Sequence, residues 1–173
     1  MEKTVLLLTR HGETLENQKN ILQGQLPGTL SPLGIQQAEM LAGQLEGEPL
    51  DAIVSSDLER SYKTAAIIGA SRGMLPEPTI LLREMNWGIY TGETLEEVGW
   101  LHLPESAESL EKLYQRAGAF VGYLQRKYAG KRVLAVGHGA FNRAVLTWLR
   151  GGTPLEMLEL PIMKNTQIIR LVC

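Results

Sequence analysis

Apolar positions along the chain switch between two spacings. Four short runs are continuously apolar: Val5-Leu6-Leu7-Leu8, Ala52-Ile53-Val54, Ile80-Leu81-Leu82 and Val133-Leu134-Ala135-Val136. Runs of this kind predict strands buried on both faces of a parallel sheet. A fifth run, Ile168-Ile169-Arg170-Leu171-Val172, admits one charge and predicts an edge strand. The stretches between them follow helical spacing. Ser31-Pro32 predicts a helix start, after which Ala38, Leu41, Ala42 and Leu45 share one face. A second helix is expected from near Asp57, capped by Ser55, Ser56 or Asp57, with Leu58, Ala65 and Ile68 available for burial. A long one from about Ser106 to Tyr128 carries a stripe of Leu110, Leu113, Ala117, Phe120, Val121, Leu124 and Tyr128. A last helix spans about Phe141 to Leu149, and Gly69 to Pro78 reads as a loop. Strand alternating with helix predicts an α/β domain with a mostly parallel sheet.

Composition narrows the class of function. The chain has 173 residues, room for a single domain spanning 1–173. With 44% hydrophobic and 21% charged residues it is neither a disordered chain nor a disulfide scaffold. Seventeen Lys and Arg against nineteen Asp and Glu leave no basic excess, so nucleic acid is not an expected partner. Attraction for an anion must come from arginines gathered locally. The one cysteine is Cys173, which excludes an intrachain disulfide and fits a reducing cytoplasm. Val5 to Leu8 is too short for a signal-peptide core, and no apolar segment is long enough to span a bilayer.

Open α/β sheets bind ligands beyond the carboxyl ends of their strands. Thr9-Arg10-His11-Gly12-Glu13-Thr14 follows the first run, Ser55-Ser56-Asp57-Leu58-Glu59-Arg60 the second, Arg83-Glu84 the third and Gly137-His138-Gly139 the fourth. Two histidines, arginines and a glutamate thus converge on one edge. Guanidinium forks match phosphoryl oxygens. A neutral imidazole is a competent nucleophile, and nearby guanidinium charge favours the neutral form. The leaving oxygen then needs a proton, for which Glu84 is placed; Glu13 is the rival acid. With three His and one terminal Cys, a metal site is not expected. No strand is followed by a dinucleotide-binding glycine fingerprint.

Arg10-His11-Gly12-Glu13-Thr14 with Asn17 resembles the phosphohistidine motif of the histidine phosphatase superfamily, the phosphoglycerate mutase-like proteins. Gln23-Gly24, Leu30-Ser31-Pro32-Leu33-Gly34, Gln37-Ala38, Ser55 to Ser61 with Thr64-Ala65, the spacing of Glu84, Gly88 and Gly92, Gly137-His138-Gly139 and Asn165-Thr166 continue the resemblance in family order. The resemblance implies a three-layer α/β/α sandwich and a phosphohistidine formed on His11. It implies that Arg10, Arg60 and His138 hold the phosphoryl oxygens. Asn17, Gln23 and Gly24 would line the phosphate pocket, and Gly139 would allow close approach of backbone to phosphate. Glu84 would be the acid for the leaving alcohol and then the base for water, with no cofactor.

Three departures stand out, and in one Ala107-Glu108-Ser109 stands where the family carries a Gly-Glu-Ser signature before the long helix. Pro27 and Thr29 occupy places where this branch carries Asp and Pro. The segment from Glu97 to Glu108 is much shorter than the family's usual cap, which implies a reduced cap and an open pocket. A mutase needs a closed pocket that shields phosphohistidine from water, so hydrolysis of a small phosphomonoester is the expectation. The α-ribazole 5'-phosphate phosphatases share the small size and block pattern. The alternatives are mutase-type phosphoryl transfer, protein phosphohistidine hydrolysis and a non-catalytic phosphate-binding module. Trp87 and Tyr90 read equally as core or as pocket mouth, with Trp100 in the short cap. His102 reads as surface.

Overall fold

Alternate side chains of the central strands enter two separate cores, and this alternation organises the molecule. The computed structural model describes residues 2–94 and 102–173. Strands β1 (Val5–Arg10), β2 (Ala52–Ser56), β3 (Glu77–Thr79) and β4 (Arg132–Gly137) are parallel, and β5 (Ile168–Val172) runs antiparallel to β1. They lie in the order β3-β2-β4-β1-β5. A single-turn helix α1 (Leu15–Gln18) and helices α2 (Pro32–Gln44), α3 (Glu59–Ala70), α4 (Leu110–Lys127) and α5 (Gly139–Leu149) complete the described elements.

Leu6 and Leu8, Val54, and Val133 and Ala135 face one core, closed by Leu113, Phe120 and Leu124 of α4 and Phe141 and Val145 of α5. Leu7, Ile53, Leu134 and Val136 face the other, closed by Leu41 and Ala42 of α2 and Ala65 and Ile68 of α3. The result is the three-layer α/β/α arrangement. Each fully buried Leu or Phe contributes roughly 1.5–3 kcal/mol.

Several expected elements differ from those observed. Ile80–Leu82 is a 3-10 turn, not a strand. The ladder to β2 is made by Glu77–Thr79 from the expected loop, and Pro78 is tolerated there because β3 is an edge. Leu82 is buried from the turn while Ile80 is exposed, so the apolar run marks a plug at the end of the core. Helix α3 starts at Glu59, two residues late. Ser56 Oγ accepts the Leu58 N–H, but Asp57 pairs with Arg83 instead of capping. Helix α4 is capped by Ser109, whose Oγ accepts the Lys112 N–H.

The chain leaves β1 toward the α2–α3 face and leaves β4 toward the α4–α5 face. These two strands are neighbours, so a crevice opens at their carboxyl ends. No described helix is long and apolar enough to cross a membrane.

Candidate active site

His11 follows β1, and its loop is fixed by a complete set of backbone bonds. The His11 N–H donates to the Gly137 carbonyl. The Gly12 N–H donates to Thr64 Oγ1, the Glu13 N–H to Gln37 Oε1 and the Thr14 N–H to Asn17 Oδ1. The Gly12 backbone lies so near α2 that an added Cβ would sit 2.4 Å from the Gly34 carbonyl oxygen. This loop therefore needs glycine to approach a helix, rather than to approach a ligand.

The imidazole of His11 is 2% exposed. Its Nδ1 donates to the Gly12 carbonyl at 2.7 Å, which leaves the lone pair on Nε2. Arg60 Nε lies 3.3 Å from that nitrogen. Burial, then the charges of Arg60 and Arg10, hold the His11 pKa well below its usual range. The base is therefore neutral, and its Nε2 lone pair accepts from the Arg60 Nε–H.

Arg60, on the first turn of α3, is almost fully buried. Its Nη1 donates to the carbonyls of Leu26 and Pro27, and its Nη2 to that of Gly24. The loop from Gly24 to Pro27 thus holds Arg60 by main-chain oxygens. Gly28 closes this loop with φ +72°, and a side chain there would meet Arg60 and Gln23. Arg10 Nη1 donates to the Met163 carbonyl, while its Nε is buried without a hydrogen-bond partner.

His138 lies at the N-cap of α5, its ring centroid 5.2 Å from that of His11. Both ring nitrogens are buried without a hydrogen-bond partner. Burial, then Arg60, His11, Arg10 and Arg116, push its pKa well below the usual value. A buried imidazole left unsatisfied is costly, and its N–H is a donor waiting for an acceptor.

Helix α5 begins at Gly139, two residues before the expected start, and this places its first amides on Glu84. Glu84 Oε1 accepts from the Met85 and Phe141 N–H groups, and Oε2 from that of Ala140. Glu13, the rival acid, is turned away: its Oε1 accepts from Ser31 Oγ and Gln18 Nε2.

Arg10, His11, Asn17, Gln23, Gly24, Arg60, Glu84 and Gly139 all line one cleft of about 70 Å³. His138 stands behind it against His11. The outer wall is Ile21, Leu22, Trp87, Ala140 and Ile162. Trp87 is both 3% exposed and part of this wall, whereas Tyr90 packs on the core and bonds the His102 carbonyl. His102 is exposed. Residues 97–101 of the expected reduced cap, Trp100 among them, lie outside the described residues. Among the described residues no three His, Cys, Asp or Glu side chains form a metal-binding group.

Sequence reasoning assigned no role to Asn165, whose Nδ2 donates to the His11 carbonyl and reaches Asn17 Oδ1. Thr64 and Gln37 were visible only as members of motif blocks. None of the three has a local signature, since each acts across a long stretch of chain.

The profile of the histidine phosphatase superfamily (branch 1) matches residues 6–173. Probable phosphoglycerate mutase GpmB of Yersinia pestis is 33% identical over 159 residues, covering 83% of this chain and 74% of that protein. Among solved structures, YhfR of Bacillus stearothermophilus is 28% identical with a TM-score of 0.89, covering 96% of this chain and 90% of the other. A mycobacterial glucosyl-3-phosphoglycerate phosphatase bound to VO3 is 29% identical with a TM-score of 0.88, covering 99% and 92%.

Proposed function

The chain belongs to the histidine phosphatase superfamily (branch 1), whose members are phosphatases or mutases, and on that footing we propose that it hydrolyses phosphomonoesters of small alcohols through a phosphohistidine on His11. The observation that carries this reading is the neutral His11 Nε2 at the floor of a cleft bracketed by Arg10, Arg60 and Glu84.

The phosphoryl group enters against Nε2 and takes over the Arg60 Nε–H, while Arg10 Nε and the His138 N–H gain the acceptor they lack. Nε2 attacks phosphorus, forming the P–N bond as the ester P–O bond breaks. Glu84 delivers a proton from Oε2, the oxygen with fewer amide donors, to the leaving alcohol. Glu84 next takes a proton from water as its oxygen attacks phosphorus. The P–N electrons return to Nε2 and inorganic phosphate leaves. Catalysis is then mainly positioning and charge neutralisation.

Hydrolysis is favoured over mutase chemistry by the cleft wall. Among its described residues the only cations are Arg10 and Arg60, and the rest of the lining is neutral or acidic, with Ile21, Leu22, Trp87, Ala140 and Ile162 apolar. A phosphoglycerate would bring a second anion with nothing cationic to meet it there. The wall instead suits an alcohol with apolar or ring character, for which α-ribazole 5'-phosphate is a reasonable member of a screen.

The test is turnover of an aryl phosphate in the presence of EDTA, comparing the intact protein with His11→Ala. Turnover by the intact protein that disappears in the variant supports the reading, and equal turnover overturns it. Interconversion of phosphoglycerates faster than phosphate release would replace hydrolysis by the mutase reading suggested by the Yersinia relative's name.

A further inference from the structure

Glu84 sits in no strand and no helix, yet its carboxyl must be held at the cleft floor. The main chain around it has no sheet partner to hold it. Arg116 of α4 supplies that frame. Its Nη1 donates to the carbonyls of Leu81 and Arg83, at 3.0 and 2.7 Å. Its Nη2 reaches the Glu84 carbonyl at 3.3 Å. Its Nε and Nη2 also form a bidentate pair with Glu108, both at 2.9 Å. All five N–H groups of the guanidinium are thereby engaged.

Glu108 extends the same frame. Its Oε2 accepts from the Asn86 N–H, and its own N–H donates to the Asn86 carbonyl. Residues 81–86 are thus strung along one ion pair, with Glu84 in the middle. The guanidinium carbon of Arg116 lies 4.6 Å from the centroid of the Phe141 ring, and Phe141 is fully buried. The Phe141 N–H is one of the amides bound to Glu84 Oε1. One side chain therefore touches both the backbone that carries the carboxyl and the residue whose amide orients it.

We propose that Arg116, fixed by Glu108, is a positioning residue for proton delivery by Glu84. It touches neither substrate nor phosphorus, and its hydrogen bonds reach the site through the segment that carries Glu84. Lysine keeps the charge but cannot span the three carbonyls and the carboxylate together. In Arg116→Lys the Glu84 segment loses its register while His11, Arg10 and Arg60 keep theirs. The inference rests on the reading of Glu84 as the acid given above.

Proton delivery matters most when the leaving oxygen is basic and least when it is a stable phenolate. The experiment therefore measures kcat/KM, which reports phosphohistidine formation, for 2,4-dinitrophenyl phosphate and for phenyl phosphate. The readout is the ratio of the two, in which any inactive fraction cancels. Glu84→Gln should raise this ratio by about tenfold or more, as expected for removal of a general acid. Arg116→Lys should raise it by several-fold, and Glu108→Gln in the same direction, which serves if Arg116→Lys does not fold. A shifted ratio in Glu84→Gln with the parental ratio in the Arg116 and Glu108 variants overturns the positioning role and leaves the reading of Glu84 intact. A parental ratio in Glu84→Gln as well removes Glu84 as the acid, and the inference falls with it.

Discussion

Arg60 Nε lies 3.3 Å from His11 Nε2, and the rest of that guanidinium is gripped by the carbonyls of Gly24, Leu26 and Pro27. The two residues are 49 positions apart in the chain. Through this pair the loop after α1 is coupled to the Nε2 of the imidazole. Pro27 is compatible with the site because the loop binds Arg60 through main-chain oxygen.

Arg60→Lys should therefore harm both stability and turnover. Lysine cannot reach three carbonyls and the imidazole at once, so the buried Gly24 carbonyl is left unpaired at roughly 1–3 kcal/mol, while those of Leu26 and Pro27 turn to water. Turnover of an aryl phosphate should fall by about 10²-fold, in the range for removing one preorganised donor. A thermal melt and a rate assay on the same sample check both outcomes. An unchanged melting temperature would mean the loop is held by something other than this guanidinium.

Gly12→Ala should move the His11 loop. The new Cβ would lie 2.4 Å from the Gly34 carbonyl oxygen, a backbone atom that cannot swing away. The strain should cost about 1–3 kcal/mol and reduce turnover, because His11 is the adjacent residue. Parental activity at a parental melting temperature would show that α2 yields more readily than its contacts imply.

Asn165→Ala isolates a support of the site. The change removes the donor to the His11 carbonyl and to Asn17, while the neighbouring Thr166 N–H still bonds the Arg10 carbonyl. A loss of about tenfold in kcat is expected from the misplaced nucleophile, with a small change in melting temperature. A rise in KM alone would assign Asn165 to substrate binding.

Stability should fall on mild acidification. His11 and His138 have pKa values held well below the usual range by burial first and then by arginine charge. In the unfolded chain both titrate near about 6.5. Above that pH neither state takes up protons there and stability is level. Below it the unfolded state binds protons that the folded state refuses, so stability drops as pH falls, down to the depressed folded-state values. The limiting slope is about 1.4 kcal/mol per pH unit for each histidine. The carboxylates whose pKa values are lowered, Asp57 and Glu77 among them, act at lower pH, which leaves this window clear. Melting temperatures from about pH 7.5 to 5.5 should decline, and His138→Asn should decline about half as steeply. Equal slopes in the two proteins would contradict a neutral, buried His138.

Much of this molecule is written locally. Solid apolar runs place β1, β2 and β4 because a strand buried on both faces needs apolar residues at successive positions. The Ser31-Pro32 start and the stripe from Leu113 to Leu124 read correctly because caps and helical spacing are properties of a few adjacent residues. The residues proposed to carry the chemistry, His11, Arg10, Arg60, Glu84 and His138, are legible as strand-end residues and as motif blocks. What packing alone decided is which donor meets which acceptor. Ile80–Leu82 became a turn because β2 takes Glu77–Thr79 as its neighbour. Glu84 rather than Glu13 faces the cleft because Phe141, 57 residues away, donates its amide at the start of α5. Arg116 and Glu108 gained a place beside the site because α4 lies across the chain that carries Glu84. Local spacing encodes periodicity and caps, whereas bonds between distant segments exist only once the layers have closed around a common core.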